Sequence, residues 1–222
     1  MNRSVFRAAF RDTLPVLTGY LVLGMGFGMI MTADGYGVFW SGAMSLFIYA
    51  GSMQYAAVGL ITGGASLVTA ALTTLAVNAR HLFYGISMID EYRTAGAWKP
   101  YLIFSLTDET YSLVCSGGKS REYQVLVSVL DHFYWVSGTV LGALIGSVLP
   151  ISTEGIDFAL TALFLTVFTE QWCGTKKHFP ALAGLLISAL CLLLFGPDRF
   201  LIPAMIVITA VLLFPSKGGK QT

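Results

Sequence analysis

The chain has 222 residues, of which 55% are hydrophobic and 11% charged, and its formal net charge is +1. A soluble globular domain carries roughly 25% charged residues, so this composition excludes an ordinary soluble domain and indicates lipid as the solvent. The near-zero net charge gives no electrostatic basis for binding nucleic acid. The three cysteines have no metal or redox spacing, and no nucleotide-binding or hydrolase motif is present, so we expect neither metal nor cofactor.

The apolar residues fall into segments of the length that crosses a bilayer, for which about 20 residues are needed. Eight segments are candidates, several of them shorter than that: Leu14–Thr32, Val38–Thr62, Leu67–Ile89, Tyr101–Cys115, Val125–Leu149, Phe158–Trp172, Ala181–Phe195 and Phe200–Phe214. The connections are short and rich in Gly, Pro and charged residues, so none can fold alone. We therefore predict an all-α, polytopic transmembrane helix bundle that forms a single domain, residues 1–222.

The first apolar segment follows three arginines, Arg3, Arg7 and Arg11. A signal peptide begins in the same way, but the segment is about as long as a span and no A-x-A cleavage site follows it. We therefore interpret it as the first transmembrane helix. Because positive loops stay in the cytoplasm, these arginines predict a cytoplasmic N-terminus.

The positive charges of later loops conflict with a simple alternation of eight spans, which would place Arg93 and Lys99 outside. The conflict disappears if Val38–Thr62 and Tyr101–Cys115 each leave the membrane on the side they entered. The charge pattern thus predicts about six full spans plus two broken or re-entrant segments, with both termini cytoplasmic. A bundle of seven spans with opposite termini remains an alternative.

The middle of Val38–Thr62 is polar where a broken helix would have its break. Gly51 permits unusual dihedral angles, and Ser52 is a good N-cap residue. A helix N-terminus at this depth would offer free N–H groups and a positive dipole to a carboxylate. The alternative is a small-residue packing contact around Gly51, with Gln54 bonded to a neighbouring helix.

Ionisable residues inside apolar segments are costly and usually face a bundle interior or a water path. Asn78, Arg80 and His81 lie in the third segment, and Asp108 and Glu109 in the fourth. The adjacent acids are the natural partners of Arg80 and His81. The alternatives are that Arg80 reaches to the membrane surface and that the acids form a purely structural ion pair.

The fifth segment carries Asp131 and His132, followed by glycines at four-residue spacing, Gly138, Gly142 and Gly146. This spacing makes a flat ridge for close helix packing, which predicts that the segment lies inside the bundle. The alternative places Asp131 and His132 at the membrane interface.

Two further clusters have simpler interpretations. Gly24, Gly26 and Gly28 follow no strand, so we interpret them as sites of close packing or a kink rather than as a dinucleotide motif. Glu170 lies beside Trp172 near the end of a segment, as interfacial residues do.

Several blocks of the sequence resemble the signature of the AzlC (azaleucine-resistance) family. They are Tyr49–Val58, Asn78–Gly85, Leu106–Glu109, Trp135–Thr139, Leu141–Gly146 and Asp157–Leu160. They cover nearly the whole chain in the right order. The departures are mild: Met53, Ala79 and Thr161 stand where relatives more often have Ala, a bulkier residue and Pro.

The resemblance implies the large subunit of a branched-chain amino-acid exporter in the bacterial inner membrane, working with a small AzlD-type membrane subunit. The substrates it implies are valine, leucine and isoleucine, with methionine as a further candidate. The predicted substrate-binding residues are Gly51, Ser52, Gln54, Tyr55, Asn78, Phe83, Tyr84 and Asp108. The predicted proton-coupling or ion-pair residues are Arg80, His81, Asp108, Glu109, Asp131 and His132. We expect proton coupling because no nucleotide site is visible.

Two functions of other classes remain open at this point. One is an intramembrane metalloenzyme that uses the buried His, Asp and Glu side chains as ligands, although they form no compact ligand motif. The other is a scaffold or assembly subunit that transports nothing itself.

Overall fold

The computed structural model of the chain describes residues 3–149, 158, 165, 168–169, 172–173, 178–196 and 200–213. Helices are the regular structure of these residues, as the composition predicts, and no strand occurs among them. The chain divides into two compact units, Met1–Leu160 and Thr161–Thr222. The single-domain assignment stays a prediction.

In the described residues 3–149 the chain forms seven α-helices: α1 (Arg3–Ala33), α2 (Val38–Phe47), α3 (Gly51–Thr62), α4 (Leu67–Ser87), α5 (Lys99–Phe104), α6 (Asp108–Val114) and α7 (Arg121–Val148). The second unit contains α8 (Phe179–Phe195) and α9 (Leu201–Leu213). Local sequence explains several helix starts, because hydroxyl side chains accept a backbone N–H of the first turn. Ser66, Thr107 and Ser120 cap α4, α6 and α7 in this way.

Both segments that the charge pattern singles out are indeed broken. Val38–Thr62 is interrupted at residues 48–50, between α2 and α3, and Tyr101–Cys115 is interrupted at 105–107, between α5 and α6. The expected position of the first break was wrong. Gly51 and Ser52 already belong to α3, whose N-cap residue is Ala50, and no side chain caps that end.

The lengths of the described helices bear on the predicted number of membrane spans. By length and composition, α1 and α7 are the described helices that are long and apolar enough to cross a bilayer. A helix of 10 to 12 residues, such as α2 or α3, extends for only about half of the roughly 30 Å apolar layer. The six-span count stays a prediction, and Glu170, with most of the segment Phe158–Trp172, lies outside the described residues.

Helices α1 and α7 lie parallel to each other. The Tyr123 hydroxyl donates to Asp12 Oδ2 (2.9 Å) near their N-termini, and the Thr32 hydroxyl donates to the Ala143 carbonyl (3.3 Å) near their C-termini. This pairing brings the three N-terminal arginines to the same end of the unit as Arg121. Because the two helices run in the same direction, these arginines lie on one side of any bilayer that the pair crosses.

Glycines allow the two backbones to approach closely, as the sequence predicts. A Cβ atom on Gly24 would lie 2.9 Å from the Thr139 nitrogen, and one on Gly138 would lie 2.8 Å from the Tyr20 carbonyl oxygen. On Gly142, it would overlap the backbone of Met25. Small residues at four-residue spacing are the usual means of close helix packing in membranes.

This contact predicts that Gly142→Ala destabilises the unit. The added Cβ forces α1 and α7 apart, and overpacking of this kind typically costs about 1–3 kcal/mol. Thermal unfolding of the purified protein in detergent measures the effect. Gly59→Ala is the matched control, because nothing lies within 4 Å of a Cβ there. Equal melting temperatures for the two variants would contradict the predicted contact.

Candidate functional site

The two helix breaks meet at a cluster of aromatic rings. Tyr49, in the first break, has a positive φ of 45°, which is unusual for an aromatic residue. Its ring centroid lies 6.2 Å from that of Phe104 at the end of α5 and 4.3 Å from that of His132 on α7. Packing against these rings holds Tyr49 in its strained conformation. As a result, both helix breaks line the same space.

A cavity of about 440 Å³ occupies this space. Its walls are the two breaks, one face of α4 and the chain leading into α5; lining residues include Tyr49, Ala50, Asn78, His81, Gly85 and Leu106. Small-molecule sites in proteins usually measure about 300–1,000 Å³ and are mostly apolar with a few polar groups. The cavity therefore has the size and character of a site for a small, partly apolar ligand.

A buried hydrogen-bond network fixes the first break to α7. The Trp135 indole N–H donates to Gln54 Oε1 (2.9 Å), and the Gln54 amide donates to Ser45 Oγ (3.0 Å). Ser45 Oγ lies 2.7 Å from the Thr139 hydroxyl. Gly51 packs under the same indole, where a Cβ would lie 3.0 Å from the ring. The packing alternative therefore describes the contacts of both Gly51 and Gln54.

Arg80 connects the N-terminal turns of two half-helices. Its Nη2 lies 3.0 Å from Asp108 Oδ2, on the first residue of α6, and donates to Ser52 Oγ (3.1 Å), in the first turn of α3. The side chains of Arg80 and Asp108 are 32% and 24% exposed, so the pair is only partly buried. The acidic partner expected for Arg80 is thus in place.

Among the residues that the structure describes, no acid forms an ion pair with His81. Its Nδ1 lies 3.2 Å from the Asn78 carbonyl oxygen of its own helix, and its ring faces the cavity wall. The expectation that the adjacent acids are partners of both Arg80 and His81 therefore holds for Arg80 alone.

Glu109 and Asp131 are bonded to hydroxyl groups. The Tyr20 hydroxyl donates to Glu109 Oε2 (2.6 Å), and the Thr110 hydroxyl donates to Asp131 Oδ2 (2.8 Å). Tyr20 also contacts the Thr107 hydroxyl at 2.8 Å. The sequence reasoning missed these three hydroxyl residues. For the two threonines a signal existed, because they flank an acid pair inside an apolar segment.

Helix α7 directs Asp131 and His132 inward. Asp131 is fully buried and His132 is 8% exposed, so both side chains face the interior of the unit, and their depth in the bilayer stays a prediction. His132 Nδ1 lies 3.1 Å from the Tyr101 hydroxyl on α5. The glycine ridge explains the orientation, because packing Gly138 and Gly142 on α1 turns this part of α7 toward the interior.

The other predicted substrate residues are scattered. Asn78 lines the cavity. Tyr55 is buried against α1 and donates to the Leu23 carbonyl (2.6 Å), Phe83 is 62% exposed, and Tyr84 stacks on Tyr111 at 4.4 Å. The structure therefore does not bring these three aromatic residues together, and none of them lines the cavity.

The His, Asp and Glu side chains that a metalloenzyme would use as metal ligands are also dispersed. In the part of the chain that the structure describes, no group of three or more His, Cys, Asp or Glu side chains is placed to hold a metal ion. Asp108 is occupied by Arg80, and Asp131 by a hydroxyl. The geometry therefore gives no support to metal-assisted chemistry at these residues.

Known proteins are similar in sequence to this chain over most of its length. The branched-chain amino acid transport protein AzlC of Bacillus subtilis is 44% identical, covering 94% of this chain and 84% of the relative. An uncharacterized membrane protein of Helicobacter pylori is 39% identical over 94% of each chain, and the inner membrane protein YgaZ of Escherichia coli is 30% identical over 84% of each. No solved structure matches the chain.

The family comparison agrees with these relatives. The model of the AzlC protein family matches residues 15–149, which include both helix breaks, the cavity and all of α7 up to its C-terminal cap. The matched region therefore contains every element that builds the candidate site. This chain belongs to the AzlC family.

Proposed function

We propose that the chain is the large subunit of an inner-membrane permease that exports valine, leucine, isoleucine and methionine with a small AzlD-type membrane subunit. The cavity between the two helix breaks is the observation that carries the proposal. The name of the Bacillus relative, a branched-chain amino acid transport protein, supports the substrate class. Discontinuous helices that meet at a site inside the bilayer are typical of secondary transporters.

The substrate carboxylate would bind at the N-terminus of α3. No side chain caps this end, so the first N–H groups of the helix, including those of Gly51 and Ser52, remain available to a ligand. The helix dipole adds a positive potential at the same place. Gln54 serves this site indirectly, because its bonds to Trp135 and Ser45 hold the break open.

The other two parts of the substrate would find partners on neighbouring elements. Asp108, at the start of α6, would accept the ammonium group in exchange for part of its contact with Arg80. Asn78 offers an amide within the cavity, and Leu75, Leu82 and other apolar lining residues would surround the aliphatic side chain. A zwitterion with a branched apolar side chain needs all three kinds of contact.

Counterflow in proteoliposomes tests the proposal. Vesicles that contain the purified chain and its AzlD-type partner, loaded with unlabelled leucine, should accumulate labelled leucine transiently above equilibrium. Labelled lysine should give no such overshoot, because the cavity wall is mostly apolar. If neither the chain alone nor the pair shows leucine counterflow, the scaffold alternative is correct and the transport proposal fails.

Filling the cavity should weaken leucine binding. Gly85 lines the cavity and nothing lies within 4 Å of a Cβ there, so Gly85→Leu places a side chain into the open space without a backbone clash. We expect the leucine concentration for half-maximal counterflow to rise about tenfold or more, which corresponds to roughly 1.4 kcal/mol.

Gly59→Leu is the matched control for this experiment. Gly59 is also a helical glycine with nothing within 4 Å of a Cβ, but it does not line the cavity. It should leave the half-maximal concentration unchanged. An unchanged value for Gly85→Leu as well would remove the cavity from the proposed site.

Removing the charge of Asp108 tests whether this residue binds the substrate or only forms a structural ion pair with Arg80. Asp108→Asn should reduce counterflow at least about tenfold, by the loss of the ammonium acceptor, while the protein remains in the membrane. The double variant Arg80→Gln with Asp108→Asn removes the unpaired charge that the single variant leaves. Counterflow should stay low in the double variant. Recovery of counterflow in the double variant would show that the Arg80–Asp108 pair only holds α4 and α6 together.

A further inference from the structure

Five side chains form a continuous line of oxygen atoms through the first unit. In spatial order they are Glu109, Tyr20, Thr107, Thr110 and Asp131. The four oxygen–oxygen distances along the line are 2.6, 2.8, 3.2 and 2.8 Å. We call this line the hydroxyl chain. It joins α1, α6 and α7 and has a carboxyl group at each end.

The hydroxyl chain is shielded from solvent. Tyr20, Thr107, Thr110 and Asp131 are between 0% and 8% exposed, and Glu109 is mostly buried. Among the described residues, the ion pairs involve neither terminal carboxyl group. An ionised carboxylate in such a place is costly, and two that repel each other are more so.

Among the described residues, the titratable groups that interact with Asp131 from the surrounding helices are tyrosines and one acid, and none of them is positively charged. Tyr49 at the first break, Tyr101 on α5 and Tyr123 on α7 interact with it electrostatically, as does Glu109 on α6. The neighbouring His132 is bonded to Tyr101. The nearby Arg80 is engaged with Asp108 and Ser52 instead.

The hydroxyl chain has four oxygen–oxygen contacts but only three hydroxyl hydrogens to fill them. With both carboxyl groups ionised, Tyr20 donates to Glu109, Thr107 to Thr110 and Thr110 to Asp131. The three hydroxyl hydrogens are then used, and the 2.8 Å contact between Tyr20 and Thr107 has no hydrogen. One additional proton fills this contact and removes one of the two negative charges.

With that proton the four hydrogen bonds can run in either direction. If Glu109 is protonated, it donates to Tyr20, and the donors then follow in order to an ionised Asp131. If Asp131 is protonated, every bond is reversed and Glu109 is the anion. Between the two states one O–H bond breaks at one carboxyl group and one forms at the other, while each hydroxyl passes on one hydrogen and receives one.

We infer that Glu109 and Asp131 share a single exchangeable proton through Tyr20, Thr107 and Thr110, and that this proton is the one coupled to transport. The second half of the inference rests on the proposed function. Thr107 lies in the second helix break beside Leu106, which lines the cavity. Glu109 adjoins Asp108, the proposed ammonium acceptor, and interacts with it electrostatically, so the position of the proton changes the charge next to that acceptor.

Infrared spectroscopy tests the shared proton without any transport measurement. The C=O stretching band of a protonated carboxyl group in the purified protein should titrate with pH and shift in D₂O. Asp131→Asn should remove this band, and Thr110→Val, which interrupts the hydroxyl chain, should change its frequency or midpoint. Thr110→Ser, which keeps the hydroxyl, should restore it. Asp90→Asn, at an exposed ion pair with Arg93, should leave the band unchanged.

Two comparisons in proteoliposomes test the coupling. Leucine counterflow requires no net proton movement, whereas accumulation driven by a pH gradient does. Relative to counterflow, gradient-driven accumulation should fall at least about tenfold in Thr110→Val and remain in Thr110→Ser, since the serine hydroxyl can carry the proton. Equal accumulation in Thr110→Val and the unaltered protein, or accumulation driven by a sodium gradient at constant pH, would overturn the coupling role.

The two experiments separate the possible failures. If the unaltered protein shows no counterflow, the proposed function fails, and the infrared titration still decides whether the proton is shared. If counterflow is present and the titrating band persists unchanged in both Asp131→Asn and Thr110→Val, the shared proton is rejected while transport stands.

Discussion

The close parallel contact between α1 and α7 sets the position of everything else in the first unit. Glycines on both helices bring the backbones so near that added Cβ atoms would meet backbone atoms of the facing helix. Such a contact fixes both the separation and the rotation of the pair, since neither helix can turn without a clash. As a result, α7 directs Asp131, His132 and Trp135 to the interior, where each contacts a different discontinuous element or its break.

The two breaks are stabilised in different ways. Backbone groups inside a bilayer must be covered by protein or line a cavity. At the first break, Gln54 links α3 to Ser45 on α2 and to Trp135 on α7, which ties both half-helices to the central pair. At the second, Thr107 caps α6 through its own side chain. The start of α3 has no such cap among the described residues, and its N-cap residue, Ala50, lines the cavity, which is why we propose this end for the substrate carboxylate.

The three acidic residues near the breaks have separate environments. Asp108 is balanced by Arg80 in a partly exposed ion pair. Glu109 and Asp131 have hydroxyl partners in a more protected region. A carboxylate that is already in an ion pair can bind a charged ligand group by exchanging one cationic partner for another. A buried carboxyl group without a cationic partner instead favours binding a proton. The structure therefore separates the group proposed for substrate from the groups proposed for the proton, although Asp108 and Glu109 are adjacent in sequence.

Composition and periodicity predict the helical class, two interrupted segments, close glycine contacts and an acidic partner for Arg80. These features depend on the pattern within one helix and on the scarcity of partners for a charge in an apolar segment. The choice of Asp108 as that partner, the bond of Gln54 to Trp135 and the hydroxyl link between Asp131 and Glu109 are visible only in the folded chain. Helical periodicity specifies which residues share a face. It does not specify the axial offset and rotation between helices, and contacts between different helices depend on both.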